Sequence, residues 1–296
     1  MIAAAIVQGR RISGVEIGEI GAIMAAHPGW SRRRLSRELA QRWQWFAPSG
    51  QLKDMAARTL LLKLEQRGLI ALPPRRQAPS SGRRSRFGPP APAAPPPGPL
   101  VAELAALRPL QIQVLGPKQP AYERWGYYLA QHHYLGYGAP VGENLAYLVG
   151  SHAGADLACL RFVAAAWQCA PRDRLIGWSA EQRAQALPGI VNNSRFLILP
   201  WVQVPQLATH ILGQIARRID ADWQGRYHHR IYLLESFVEA GRFLGTAYRA
   251  ANWIHVGQTT GRTRQNWRQR DNQVHAPVKD IYLYPLSADA HRQLCQ

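Results

Sequence analysis

Cysteine and acidic residues are both scarce in this sequence of 296 residues. The three cysteines (Cys159, Cys169 and Cys295) are odd in number and form no CxxC pair, so neither a disulfide framework nor a zinc site is expected. A reducing cytoplasm is the simplest setting for such usage. No tract is long and apolar enough to span a bilayer, so no membrane partner is expected. The opening MIAAAIVQG has no leading positive region and no long apolar stretch, and reads as an ordinary start rather than a signal peptide. HExxH, GxSxG and GxxxxGK are missing, which argues against a zinc protease, a serine hydrolase and a P-loop NTPase. Two histidine pairs occur, His132–His133 and His228–His229. Neighbours on a helix point about 100° apart, so these are poor metal pairs and no metal site is expected.

What is present is positive charge. There are 36 lysines and arginines against 18 acids, a formal net charge of +18. That exceeds what solubility needs and implies a polyanionic partner, DNA or RNA. A genome that prefers arginine codons explains arginine in place of lysine, but not the shortage of acids. Apolar residues at 47% are enough for a sizeable core.

Composition predicts three segments. Residues 1–72 read as a small helical module. Ile17, Ile20, Met24 and Ala25 share one helical face, Leu35, Leu39 and Trp43 a second, and Leu52, Ala56, Leu60 and Leu64 a third. Ser31 is a candidate N-cap, Gly68 a stop, and LIALPP a short strand. Three helices and a strand suggest a winged helix-turn-helix, whose third helix would offer Lys53, Arg58 and Lys63 to DNA. Arg32, Arg33, Arg34 and Arg37 crowd the start of the second helix, where the dipole disfavours cations, so an anion is expected there. Residues 73–99, rich in Pro, Ala, Ser and Arg, read as an extended, disordered linker. Residues 100–296 read as an α+β domain with a mostly antiparallel sheet and helices on its faces.

Several residues in this last segment are candidates for chemistry. Glu235 lies inside the apolar strand IYLLESFV, so it is either a base or a partner of an arginine such as Arg195 or Arg249. Tyr248 and Asn252 are four apart in YRAANW, on one helix face. Asn192 and Asn193 suggest a turn, and Arg195 with Phe196 offers a guanidinium and a ring to a base or phosphate. The loop GQTTGRTRQNWRQR carries Arg262, Arg264, Arg268 and Arg270 around Trp267, a pattern suited to single-stranded nucleic acid. Asp156, Asp222 and Glu235 form an alternative set, the metal-binding acids of a nuclease or transposase. A non-catalytic DNA-binding scaffold is the third class.

From about Tyr122 to Leu286 the chain resembles the Druantia anti-phage protein DruA family and its insertion-sequence-associated relatives. The matching pieces are HHYLGY, GENLAYLV, RDRLIGW, NNSRFLILPWVQVPQLATHIL, LLESFVE, GTAYRAANWIHVGQTTGR and VKDIYLYPL. This resemblance implies phage defence or mobile-element biology, with other defence-system or transposon proteins as partners. The same stretch resembles, more weakly, the second half of the Gcn5-related acyltransferase fold. That implies group transfer, with Tyr248 as general acid. It also implies an acetyl-CoA-like ligand whose pyrophosphate meets backbone N–H groups at Val202, Val204, Leu207, Ala208 and Thr209. The glycines usual in that turn are replaced by Leu207-Ala208-Thr209, and Pro205 removes a donor.

Overall fold

Local capping signals set the helices of the N-terminal part. In the computed structural model, residues 5–7, 10–48, 50–74, 98–140, 142–261 and 277–296 are described, and the chain divides into two compact units, Met1–Arg83 and Arg84–Gln296. The first unit opens with an antiparallel hairpin of β1 (Ala5–Val7) and β2 (Arg10–Ile12). Ser13 and Glu16 then form a capping box that starts α1 (Gly14–Ala26). The Ser31 side chain accepts the Arg34 N–H at 3.2 Å and starts α2 (Arg32–Arg42). α3 (Asp54–Gln66) ends before Gly68, whose φ of +70° is the left-handed turn that glycine permits. Ile20, Ile23, Leu35, Leu39, Leu60, Leu61 and Leu64 form the core of this unit.

Three expectations fail here. Ala25 is exposed and Ile23 takes the buried place. Leu52 precedes α3 and bridges Phe46 instead of lying on the helix. The stretch LIALPP is not a strand, and the hairpin comes before α1 rather than after α3. Among the described residues of this unit no strand follows α3, so a winged helix is not confirmed.

The second unit is a seven-stranded sheet. Its strands are β4 (Gln111–Leu115), β5 (Asn144–Gly150), β6 (Asp156–Ala164), β7 (Ile190–Ile198), β9 (Leu233–Glu239), β10 (Ile254–Gln258) and β11 (Lys279–Pro285), in the spatial order β10-β11-β9-β7-β6-β5-β4. A separate two-residue pair joins β3 (Leu100–Val101) to β8 (Val202–Gln203) in parallel. The helices are α4 (Pro120–His132), α5 (Ala170–Ile176), α6 (Ala180–Ala186), α7 (Leu207–Tyr227), α8 (Thr246–Ala250) and α9 (Ala290–Leu294). Every pairing in the sheet is antiparallel except β7 with β9, because the long crossover through α7 returns the chain in the same direction.

Period-two alternation sorts the core onto two faces. Val191, Leu234 and Tyr282 point into one apolar cluster with α4 and α7. Ile190, Leu233 and Ile281 point into a second cluster with α5, α6 and α9. α7 buries Leu207, Ile211, Ile215, Ile219 and Trp223, as its four-residue spacing predicts. Each such side chain contributes about 1.5–3 kcal/mol of burial. The α+β architecture with helices on both faces of a largely antiparallel sheet is the expected one. From β7 the chain runs through β8, α7, β9, α8, β10 and β11.

Candidate functional site

β7 and β9 are paired only from Ile190↔Leu233 to Asn192↔Glu235. Beyond that point they separate, β7 running on to Ile198 and β9 to Glu239. A bulge helps to turn β7 away: Arg161 faces Arg195 and Phe162 faces Asn193, so Ser194 is the extra residue. A cavity of about 680 Å³ fills the gap. Its walls come from Asn193, Ser194 and Phe196–Ile198 of β7, Ser236 and Val238 of β9, Tyr248 of α8, the Arg242–Gly245 loop, and His132–Tyr134 at the end of α4.

The floor is polar and closed on itself. Tyr248 Oη donates to Asn193 Oδ1 at 2.7 Å, and Ser236 Oγ donates to the Asn193 carbonyl at 3.3 Å. The Asn193 Nδ2 group donates to the carbonyls of Arg195 (3.0 Å) and Arg161 (3.3 Å). The Tyr248 ring stacks on Tyr282, centroids 5.6 Å apart. Burial pushes the Tyr248 phenol well above its ordinary range, so at neutral pH it keeps its proton and acts as a donor.

The turn after α4, which brings His133 and Tyr134 to the cavity, is held by two arginines that do not themselves line it. Arg161 is 3% exposed and has no carboxylate partner among the described residues. Its guanidinium donates to the Gly138 carbonyl and to Ser194 Oγ. Burial lowers its pKa to about 10, with neighbouring Arg195 adding to the effect. Arg195 donates to the carbonyls of Ser194 (2.7 Å) and Gly136 (2.9 Å). Together these two clamp the turn that carries His133 and Tyr134. His133 Nδ1 accepts the Leu135 N–H at 3.1 Å, so in the neutral ring the proton sits on Nε2. Burial first, then Arg195, Arg161 and Arg242, lower the His133 pKa to about 4. At the mouth, Arg242 lies 4.8 Å over the Tyr134 ring and 5.5 Å over Phe243.

Residues 101–269 match the family described as Druantia protein DruA, which is more than half of the chain. The chain belongs to the DruA family. Solved structures also resemble it in outline. One is the spermidine N-acetyltransferase of Vibrio cholerae in complex with CoA and spermine, at 7% identity and a TM-score of 0.38, covering 60% of this chain and 95% of that one. Another is a point variant of the Vibrio cholerae enzyme SpeG, at 6% identity and a TM-score of 0.40, covering 61% and 95%. A third is the microcin C7 self-immunity acetyltransferase MccE in complex with acetyl-CoA and AMP, at 6% identity and a TM-score of 0.32, covering 56% and 68%. No curated protein matches the chain.

In this DruA-family chain the residues singled out from the sequence separate into groups. Tyr248 lines the cavity; Glu235 and Asn252 do not. Glu235 shares the sheet face of Leu233 and sits in the opposite layer from Ser236 and Tyr248. It is fully buried, with Oε2 2.7 Å from Arg172 Nη1 and Oε1 accepting the Ala166 N–H at 2.7 Å. Burial raises its pKa, against the pull of Arg172 and the Ala166 N–H. Both oxygens have partners inside the fold, and the arginine that pairs with Glu235 is Arg172, neither Arg195 nor Arg249. Asn252 is exposed at φ +62°, past the end of α8, and so shares no helix face with Tyr248.

The alternative acidic triad is dispersed. Asp156 binds Arg124 at 2.6 Å and Tyr128 at 3.0 Å. Asp222 binds Arg218 at 2.7 Å and Tyr147 at 3.0 Å. Among the described residues no three His, Cys, Asp or Glu side chains are placed to hold a metal. The expected pyrophosphate cradle is also largely committed. The Val202 N–H donates to Leu199 at 2.9 Å, and β8 already pairs with β3. Leu207 is buried, its N–H facing the Val204 carbonyl at 3.4 Å, while Val204 and Thr209 are half-buried. Of that set only Ala208 lines the cavity.

Asn192 and Asn193 lie within β7, not in a turn, and Arg195 binds carbonyls rather than facing outward. In the first unit Arg32 is held by Glu65 through two bonds of 3.0 Å and by the Pro73 carbonyl at 2.6 Å, whereas Arg33 and Arg34 are exposed. Lys53 and Arg58 are half-buried. Arg262, Arg264, Trp267, Arg268 and Arg270, and most of the 73–99 segment, lie outside the described residues. Sequence reasoning missed Ser236, Arg161 and Arg172. The only signal for Arg172 was a short RDR run in the piece RDRLIGW.

Proposed function

We propose that the second unit of this DruA-family chain is a group-transfer enzyme acting on nucleic acid, in phage defence or mobile-element biology. The observation that carries this reading is the cavity at the parting of β7 and β9, with the Tyr248 phenol, the Asn193 amide and the Ser236 hydroxyl at its floor. A protonated phenol in a largely apolar cleft can give its proton to a leaving group once its hydrogen bond to Asn193 Oδ1 is exchanged for one to the substrate, and the proton returns from solvent after the product leaves. The aromatic and cationic mouth of Tyr134, Phe243 and Arg242 suits a base with its phosphate. The net charge of +18 supports the same substrate class. Dispersal of Asp156, Asp222 and Glu235 removes the support for the metal-dependent nuclease.

An acetyl-CoA-like donor meets only part of its cradle. Ala208 lines the cavity, but the N–H groups of Val202 and Leu207 have partners inside the fold. The residues therefore do not fit coenzyme A in the pose the acyltransferase pattern implies, and no step is routed through it.

The test is a transfer assay. Purified protein is incubated with an oligonucleotide and a panel of labelled group donors, acetyl-CoA among them, and mass added to the oligonucleotide is read. Transfer lost in Tyr248→Phe but kept in Asn252→Ala supports the reading. Retention of oligonucleotide with no modification by any donor, and an unaltered melting temperature with each, points to a binding scaffold instead.

A further inference from the structure

We infer that the nucleic-acid-docking surface of the first unit is the start of α2, formed by Arg33, Arg34 and Arg37, and not α3. The class of partner rests on the reading above; the location is independent of it.

Cations in the first turn of a helix are disfavoured by the dipole, and like charges three and four residues apart repel. A fold with nothing else at stake would pair them with acids. Arg32 is so paired, with Glu65. Glu38, the acid on α2 itself, is taken by Arg42 at 2.9 Å. Among the described residues no acid lies within ion-pair distance of Arg33, Arg34 or Arg37, which are all exposed. They border a shallow groove with Ser31, Gln41 and Glu38, the last being the acid paired with Arg42.

The surface is also built, not merely charged. The Arg34 guanidinium lies 4.7 Å over the Trp30 ring. Trp30 in turn stacks on His27, centroids 3.9 Å apart and planes 1° from parallel. That stack gives one guanidinium a preferred resting place over an aromatic ring, so less side-chain freedom is lost when a phosphate arrives. Neighbouring positions on this face are about 5–6 Å apart, the scale on which successive phosphates of a strand follow one another. α3 presents no comparable surface: Lys53, Arg58 and Lys63 are each partly buried. Arginine over an aromatic ring is a feature of strand binding without base readout, which favours nucleic acid over an acidic protein as the occupant.

The experiment uses the full chain and fluorescein-labelled 30-mers, single- and double-stranded, with anisotropy read across a salt series. The triple variant Arg33→Gln/Arg34→Gln/Arg37→Gln is compared with Lys53→Gln/Arg58→Gln, and polyglutamate serves as a competitor. Three lost phosphate contacts lower the slope of log affinity against log salt by roughly 2–3 and weaken binding about tenfold or more. The α3 variant keeps the wild-type slope, and the triple variant keeps the wild-type unfolding midpoint. A triple variant that binds with the wild-type slope overturns the location while the nucleic-acid reading stands. A wild-type chain that retains neither oligonucleotide at low salt, or releases it to polyglutamate at equal charge, overturns the partner class itself.

Discussion

The two units use arginine in opposite ways. In the sheet unit several arginines are built into the fold. Arg172 is sealed between Glu235 and Asp173, Arg161 and Arg195 bind carbonyls of the 135–138 turn, and Arg218 and Arg124 each hold an aspartate. In the helical unit only Arg32, of the four arginines that open α2, is engaged that way, and the other three face solvent. Residue type and local density do not distinguish structural from functional cations. Burial and the partner do, and both are set by segments distant in sequence.

The sharpest way to break this contrast is at Glu235. Glu235→Gln leaves the Arg172 guanidinium buried with only part of its compensation, at a cost of about 3–5 kcal/mol. Replacing both, as Arg172→Met with Glu235→Leu, removes the orphaned charge and should restore much of that loss. Urea unfolding measures both variants. A Glu235→Gln protein with the wild-type midpoint would return that carboxylate to the list of functional groups.

A second test sits at the cavity. Gly245 has φ +66°, and a Cβ there would lie 2.2 Å from the Tyr282 hydroxyl, whose ring stacks on Tyr248. Gly245→Ala combines left-handed strain with a clash and should cost roughly 2–4 kcal/mol. Gly241→Ala, at φ +81° with nothing within 4 Å, meets the strain alone and should cost about 1 kcal/mol. Equal effects at the two glycines would mean that the Tyr282 hydroxyl gives way and that the floor is less rigid than its contacts imply.

Much of the sheet unit was legible because its signals are local. Four-residue spacing marks the face of α7, and the apolar run IYLLESFV marks β9, whose side chains alternate between the two faces of the sheet. The same alternation, followed one step further, separates Glu235 from Ser236 onto opposite faces, which the sequence reading did not use. The charge of Glu235 is the louder signal in the sequence, yet the neutral Ser236 is the residue at the cavity. Arg172 was out of reach because its partner is 63 positions away, and pairing across that distance leaves no periodic trace. In the first unit the failure was one of order. Apolar spacing found three helices, but nothing in RRI or LIALPP says which of them pairs into a hairpin.

His133 gives a pH-dependent test of the arginine-held turn beside the cavity. Its pKa is about 4 in the fold against 6.5 for the free side chain. The fold favours the neutral ring, so its contribution is complete above about pH 6.5 and is lost as pH falls toward 4. After discounting for solvent around a partly exposed ring, that loss is on the order of 1–2 kcal/mol. Wild type should therefore lose more stability between pH 7.5 and pH 5 than His133→Gln, measured by urea midpoints in matched buffers. Parallel losses would show that the ring accepts a proton without cost, and that the surrounding arginines are better screened than their burial indicates.

The smallest effect is the most discriminating, because it compares neighbours. Arg32→Ala breaks a two-bond pair with Glu65 whose groups are 20% and 30% exposed. Pairs of that exposure contribute about 1 kcal/mol. Arg33→Ala removes a solvated cation from a position the dipole disfavours, so its stability should stay within about 0.5 kcal/mol of wild type. The oligonucleotide salt slope should respond in the reverse sense, unchanged in Arg32→Ala and lower by about one in Arg33→Ala. Adjacent, identical residues would then separate completely, one acting on folding and the other on binding. If both variants lowered the slope alike, Glu65 would not be holding Arg32 against the pull of a phosphate, and the whole start of α2 would act as one flexible basic segment.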